Sequence, residues 1–363
     1  MFPGLPGAGR RLLAALVVAV GTVSSMSVAS AAVPAAALDC GQLASPGAMQ
    51  VLATMPAPRV IGLNGSVPIV TMESFAHFLK AMGYPEASLR DPRDGALSMS
   101  SYTSSTTLAG IVAWHYEQSG LRPMLVGHSR GGMLVVRTLH ELDGAFAESI
   151  PVHDPVADVA LPRTTIIDPY THVARPVVGL QVAFAAAIAT GTWPRVLQGQ
   201  WSMLSRLRRI PDTTEAFTGF TIAWDPIAGN GGEAEVYAAT GHAAVRNVLL
   251  PAATSHIGAP LVEHLAADPV TRQAIIDWRP GDGMPPRPAG ASDDRNLLQA
   301  AELWFSIRQH WCLEGQRRQR LAEFRQAVGE EQVNVTECGA LVGLALLGRE
   351  FEAARRPGPH LCV

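Results

Sequence analysis

Within ten residues, Met124-Leu125-Val126-Gly127-His128-Ser129-Arg130-Gly131-Gly132-Met133 changes character twice. Met124 to Val126 is apolar and reads as a buried strand. Gly127 to Gly131 reads as a very tight turn. Met133 to Leu139 continues as an apolar helical run. The turn holds Ser129 between two glycines at G-x-S-x-G spacing, the pattern of a serine hydroxyl exposed on a strained strand-to-helix bend. Gly127 and Gly131 are needed because a Cβ at either place would meet neighbouring backbone. The helix that follows points its N-terminal N–H groups at the space in front of the hydroxyl.

On either side of this bend the chain alternates strand and helix. Arg59 to Leu63 reads as a short buried strand ending in Asn64-Gly65-Ser66. Phe75, Phe78, Leu79 and Met82 then recur at helical spacing, and Gly83 closes that helix. Residues 91–106 are a polar loop, and Thr107 to Gln118 form a second helix. Beyond the bend, Ser149 to Val152 reads as a further strand. Phe220 to Trp224 forms a strand ending at Asp225, and Val245 to Leu250 is another, followed by a loop with His256. Leu261 to Trp278 reads as helix. The alternation predicts an α/β fold with a mostly parallel sheet covered by helices on both faces.

Two stretches depart from this rhythm. Residues 160–215 lack strand–turn signals and read as a mostly helical insertion. It is either a lid facing an apolar substrate or a set of extra core helices. Residues 281–292 sit in a Pro/Gly-rich linker, and 293–363 read as a C-terminal helical extension with a second helix around Cys338 to Ala353.

The N-terminus reads as an export signal over residues 1–31: Arg10 and Arg11, an apolar run from Leu12 to Val23, and Ala29-Ser30-Ala31 as a cleavage site. An uncleaved anchor is the rival reading. Export to the periplasm or the medium suits the four cysteines, Cys40, Cys312, Cys338 and Cys362. In a hairpin turning near Gly329, Cys312 and Cys338 would be offset by ~12 Å along the helix axes. Two connectivities remain, and of these Cys312–Cys362 with Cys40–Cys338 is the expected one. The 28 Lys and Arg nearly balance the 31 Asp and Glu, and no basic stripe stands out, which argues against nucleic acid as a partner.

A serine hydroxyl needs a base to take its proton, and the base needs a carboxylate to orient it. In a sheet of this kind the order along the chain is serine, acid, histidine, each at the C-terminal end of a strand. Ser129, Asp225 and His256 supply that order. Asp154, after the preceding expected strand, is the rival acid. His77, His115, His140 and His264 fall on expected helices, and His128 is committed to the bend. The N–H groups of Arg130, next to the serine, and of Ser66, in the loop after the earlier strand, are the expected donors to an oxyanion. Asn64-Gly65-Ser66 and Asn334-Val335-Thr336 also match the glycosylation pattern. A glycan at Asn64 would block the expected site.

On the Leu63-Asn64-Gly65 turn, Gly127 to Gly132, Asp225 and Ser255-His256-Ile257-Gly258, residues 57–280 resemble the α/β-hydrolase superfamily, and within it secreted bacterial lipases and esterases. The resemblance implies a catalytic domain over 32–280, a Ser129/Asp225/His256 triad and an acyl-enzyme mechanism without a cofactor. The implied partner is an ester substrate, a small molecule or a lipid, with transient contact to a lipid surface. Two features depart from the family pattern. Asn64-Gly65 stands where the family has His-Gly, and 293–356 matches nothing in it. An acyltransferase using the same triad, or a non-catalytic binding protein on the same fold, are the alternative readings.

Overall fold

Five apolar segments, far apart in the chain, lie side by side in one sheet. The computed structural model describes residues 38–67, 69–191, 201–230, 236–251, 253–286 and 296–328. The strands are β1 (Val60–Leu63), β2 (Met124–His128), β3 (Val182–Ile188), β4 (Thr214–Ile222) and β5 (Ala244–Leu250). They stand in that spatial order, every neighbouring pair parallel. One line of register crosses the whole sheet through Gly62, Val126, Ala186, Thr218 and Arg246. All five C-terminal ends therefore point the same way, and the loops that leave them share one edge.

Helices α1 (Pro46–Thr54), α2 (Glu73–Ala81), α3 (Ser105–Ser119), α4 (Arg130–Leu142), α5 (Glu263–Ala267), α6 (Pro269–Asp277) and α7 (Leu297–Val328) complete the fold. Side-chain alternation along the strands divides the core in two. Leu125, Ala185 and Ala187 pack with α3 and α4 on one face. Met124, Val126, Phe184 and Ala186 pack with α2, α5, α6 and α7 on the other. The α/β reading with helices on both faces thus holds.

The expected helical insertion over 160–215 does not form in the described residues. Thr165–Ile167 pairs antiparallel with Ala174–Pro176 as a small hairpin. The run from Val182 to Ile188, read as helical, is instead the middle strand of the sheet, buried at every position. Alanine favours helices, but a parallel strand covered on both faces also reads as an unbroken apolar run, and here tertiary packing decides. Small side chains let α4 come close: a Cβ on Gly132 would stand 3.1 Å from the Ala187 methyl. Met203 and Leu207 are core residues, whereas Trp201 is exposed. Trp193 lies outside the described residues.

Further corrections concern the edges. Ser149 to Val152 is not a sheet strand; it leads into a two-residue pairing of His153–Asp154 with Val159–Ala160. Leu261 to Trp278 breaks into α5 and α6, because Pro269 starts a new helix capped by the Asp268 carboxylate. The described part of the C-terminal extension, α7, packs onto the main core. Trp304 and Trp311 of α7 are fully buried in the main core, each contributing at least ~2 kcal/mol. Two buried carboxylates tie α7 to the sheet: Glu314 accepts from Arg122 Nε at 2.8 Å, and Glu302 from Arg246 Nε at 2.7 Å. The segment around Cys338, the export signal and the turn near Gly329 lie outside the described residues.

The expected cysteine pairing is also overturned. Cys40 is bonded to Cys312. Because α7 folds back across the sheet instead of standing apart, its middle reaches the N-terminal segment, and Trp311 Nε1 donates to the Met55 carbonyl.

Candidate active site

The bend after β2 is built by exclusion. A Cβ on Gly127 would lie 2.3 Å from the backbone of Gly131, and one on Gly131 would lie 2.3 Å from the carbonyl oxygen of Leu63. Only glycine permits this crowding, so β1, the bend and the start of α4 close on one another. Ser129 takes φ 52° and ψ −114°, which costs an L-residue roughly 1–3 kcal/mol. Its N–H donates to the Ile188 carbonyl at 2.7 Å, and its carbonyl accepts from Thr190 Oγ1 at 3.1 Å. Ala189 and Trp224, just beyond β3 and β4, also have positive φ. Strain at non-glycine residues thus recurs along the edge where the loops emerge.

Ser129 Oγ lies 3.0 Å from His256 Nε2, and His256 Nδ1 lies 2.6 Å from Asp225 Oδ2. The hydroxyl is half-buried and reachable, whereas the histidine and the aspartate are buried. Asp225 Oδ1 accepts from the N–H groups of Ile227 and Ala228, both at 3.0 Å. Burial pushes the Asp225 carboxyl up. The bond to His256 and the two backbone donors outweigh this and leave it below the usual carboxylate range. It therefore stays ionised near neutrality and fixes the proton of His256 on Nδ1, leaving Nε2 free to accept from the serine.

Asp154 takes no part in this arrangement: its Oδ1 accepts from Val156 N at 2.8 Å and caps a turn. Arg130 is the first residue of α4, so its N–H has no intrahelical acceptor. Its guanidinium lies over the Tyr102 ring at 4.1 Å, and the Tyr102 hydroxyl donates to the Ser66 carbonyl at 3.0 Å. Both residues named as oxyanion donors are thus linked through one tyrosine. The Asn64 side chain is occupied, accepting from Met72 N at 2.8 Å.

Several contributors went unread in the sequence. Asn296 Nδ2 donates to the Gly258 carbonyl and Gln299 Nε2 to the Ala259 carbonyl, each at 2.8 Å. These two residues at the start of α7 hold the loop carrying His256, and no local pattern announces them. His128 Nε2 lies 2.8 Å from the His256 carbonyl oxygen.

No protein-family model matches the chain, and neither a curated protein nor a solved structure matches it.

Proposed function

We propose that the protein is a serine hydrolase of the α/β-hydrolase kind that cleaves carboxylic esters. One observation carries this reading: a serine on a strained bend, a histidine and an ionised carboxylate in one hydrogen-bonded line, with 3.0 and 2.6 Å between partners. Fold stability does not require a solvent-reachable serine at positive φ.

On this reading Ser129 Oγ attacks the ester carbonyl, and its proton passes to His256 Nε2. Asp225 holds the imidazole in the accepting tautomer and stabilises the imidazolium. The N–H groups of Arg130 and Ser66 face the oxyanion. Collapse of the tetrahedral intermediate expels the alcohol, which takes the proton from His256. Water, deprotonated by His256, then cleaves the acyl-enzyme and restores Ser129. Asp154 is left out of the reaction.

The acyl group is read as apolar. Trp224 and Ile227 flank Asp225, Ile257 follows His256, and Val67 and Ile69 follow Ser66; all five are exposed. Water is the favoured acceptor, because Ser129 is partly open to solvent. Export is the favoured location: the Cys40–Cys312 bond suits an oxidising compartment. Among the described residues no helix is long and apolar enough to cross a membrane.

A fluorophosphonate probe tests the reading. The expected result is labelling of Ser129, absent from Ser129→Ala, with hydrolysis of p-nitrophenyl esters lost in the same variant. Unlabelled protein that is folded and oxidised would favour a binding protein on this fold.

A further inference from the structure

We propose that His128 is a positioning residue: its imidazole clamps the main chain of His256 and so sets the distance from that ring to Ser129. The catalytic consequence rests on the hydrolase reading above. The clamp itself rests on geometry.

His128 is the last residue of β2, with its side chain buried under the bend. A carbonyl oxygen only accepts, so the 2.8 Å contact with His256 requires the proton on His128 Nε2. Burial, with the neighbouring His256 ring adding to it, pushes His128 down to about 4, so near neutrality the ring carries one proton. With that proton on Nε2, Nδ1 is bare, and it is buried without a partner. A buried unsatisfied acceptor destabilises the fold, a penalty that an apolar side chain of the same size would avoid. Packing alone therefore does not account for a histidine here; the bond to His256 does.

The surroundings tell the same story. A Cβ on Gly65 would stand 3.0 Å from His128 Nδ1, so the loop after β1 presses on the ring from one side. The His256 ring lies on the other, with centroids 5.0 Å apart. Around His256 the chain has no regular structure, and Ser255 and Ile257 are exposed. Asn296 and Gln299 hold the residues just after it from the α7 side. His128 holds its carbonyl from the strand side. Without that hold the imidazole can drift from the hydroxyl, and a shift of 1 Å in such a pair can cost about 10²-fold in rate.

The test compares wild type with His128→Gln, whose amide donor reaches the Nε2 position, and His128→Asn, whose donor stops at Nδ1. His128→Phe fills the space without a donor. Fluorophosphonate labelling is expected to slow roughly 10- to 100-fold in the Asn and Phe variants and to recover to within about 5-fold in Gln. Ester kcat should fall in parallel while KM stays within about twofold. Proton NMR adds a readout that does not need turnover. The His256 Nδ1–H, in its 2.6 Å bond to Asp225, should appear far downfield in wild type and Gln and vanish by exchange in Asn. Equal labelling rates and equal downfield signals in Gln and Asn overturn the clamp, even if the Phe variant fails to fold. A wild type that neither labels nor hydrolyses, yet loses the signal in Asn alone, sinks the hydrolase reading and upholds the clamp.

Discussion

Ser129 and His256 are held in opposite ways. The serine is fixed by what is missing: Gly127 and Gly131 let backbone close on backbone, and that bend aims the hydroxyl. The histidine sits in an irregular loop and is fixed by what reaches it: Asp225 and Ser129 at the ring, His128 at the carbonyl, Asn296 and Gln299 just beyond. A site can thus join one half written into seven consecutive residues, Gly127 to Met133, to another assembled from four distant segments.

This contrast can be broken at several points. The largest effect is expected from Asp225→Asn, which keeps the shape but reverses the hydrogen-bond preference at His256 Nδ1. On the proposed mechanism kcat falls about 10⁴-fold, some 5 kcal/mol, and steady-state ester hydrolysis reads it. Gly131→Ala should come next and act on the other half. Its methyl would meet the Leu63 and Asn64 carbonyl oxygens, so stability should fall by about 4 kcal/mol or more in urea unfolding.

His128 belongs to both halves, and pH isolates it. Its folded pKa of about 4 lies below the ordinary 6.5, so between those values the unfolded chain binds a proton that the folded one refuses. Stability is unaffected above pH 6.5, falls on acidification and stops falling on this account below about pH 4. The window spans roughly 3 kcal/mol. His128→Phe should remove one proton from the acid dependence of the unfolding free energy; an unchanged slope would contradict the buried neutral ring. The smallest effect is expected from Asn296→Ala and Gln299→Ala. Each loses about 1 kcal/mol of hydrogen bonding and slows labelling at Ser129 less than the Asn variant of His128 does.

The same contrast explains what the sequence made legible. The bend needs only local chemistry, so Gly127, Ser129 and Gly131 were readable as they stand. Asp225 and His256 were readable because each ends or follows an apolar run in the strand–helix alternation. The middle strand was misread because seven apolar residues with three consecutive alanines carry no period that separates a doubly buried strand from a helix. What anchors α7 was not legible, because no local pattern pairs its acidic residues with distant arginines. Glu302 is buried against Arg246 of β5 and Glu314 against Arg122 just before β2, pairings visible only in three dimensions. The wrong cysteine pairing came from a different step: the hairpin argument excluded only Cys312–Cys338 and could not choose between Cys362 and Cys40 as the partner of Cys312.

The bond between Cys40 and Cys312 joins residues 272 apart, and Ser129, Asp225 and His256 all lie between them. Closing so long a loop restrains the unfolded chain by more than about 5 kcal/mol on the chain-entropy account. It also turns the stretch that holds Ser129, Asp225 and His256 into a covalent ring. A single proteolytic cut in any exposed loop of that ring opens it without releasing a fragment. A molecule nicked once would keep those three residues on one connected chain until a reductant arrived.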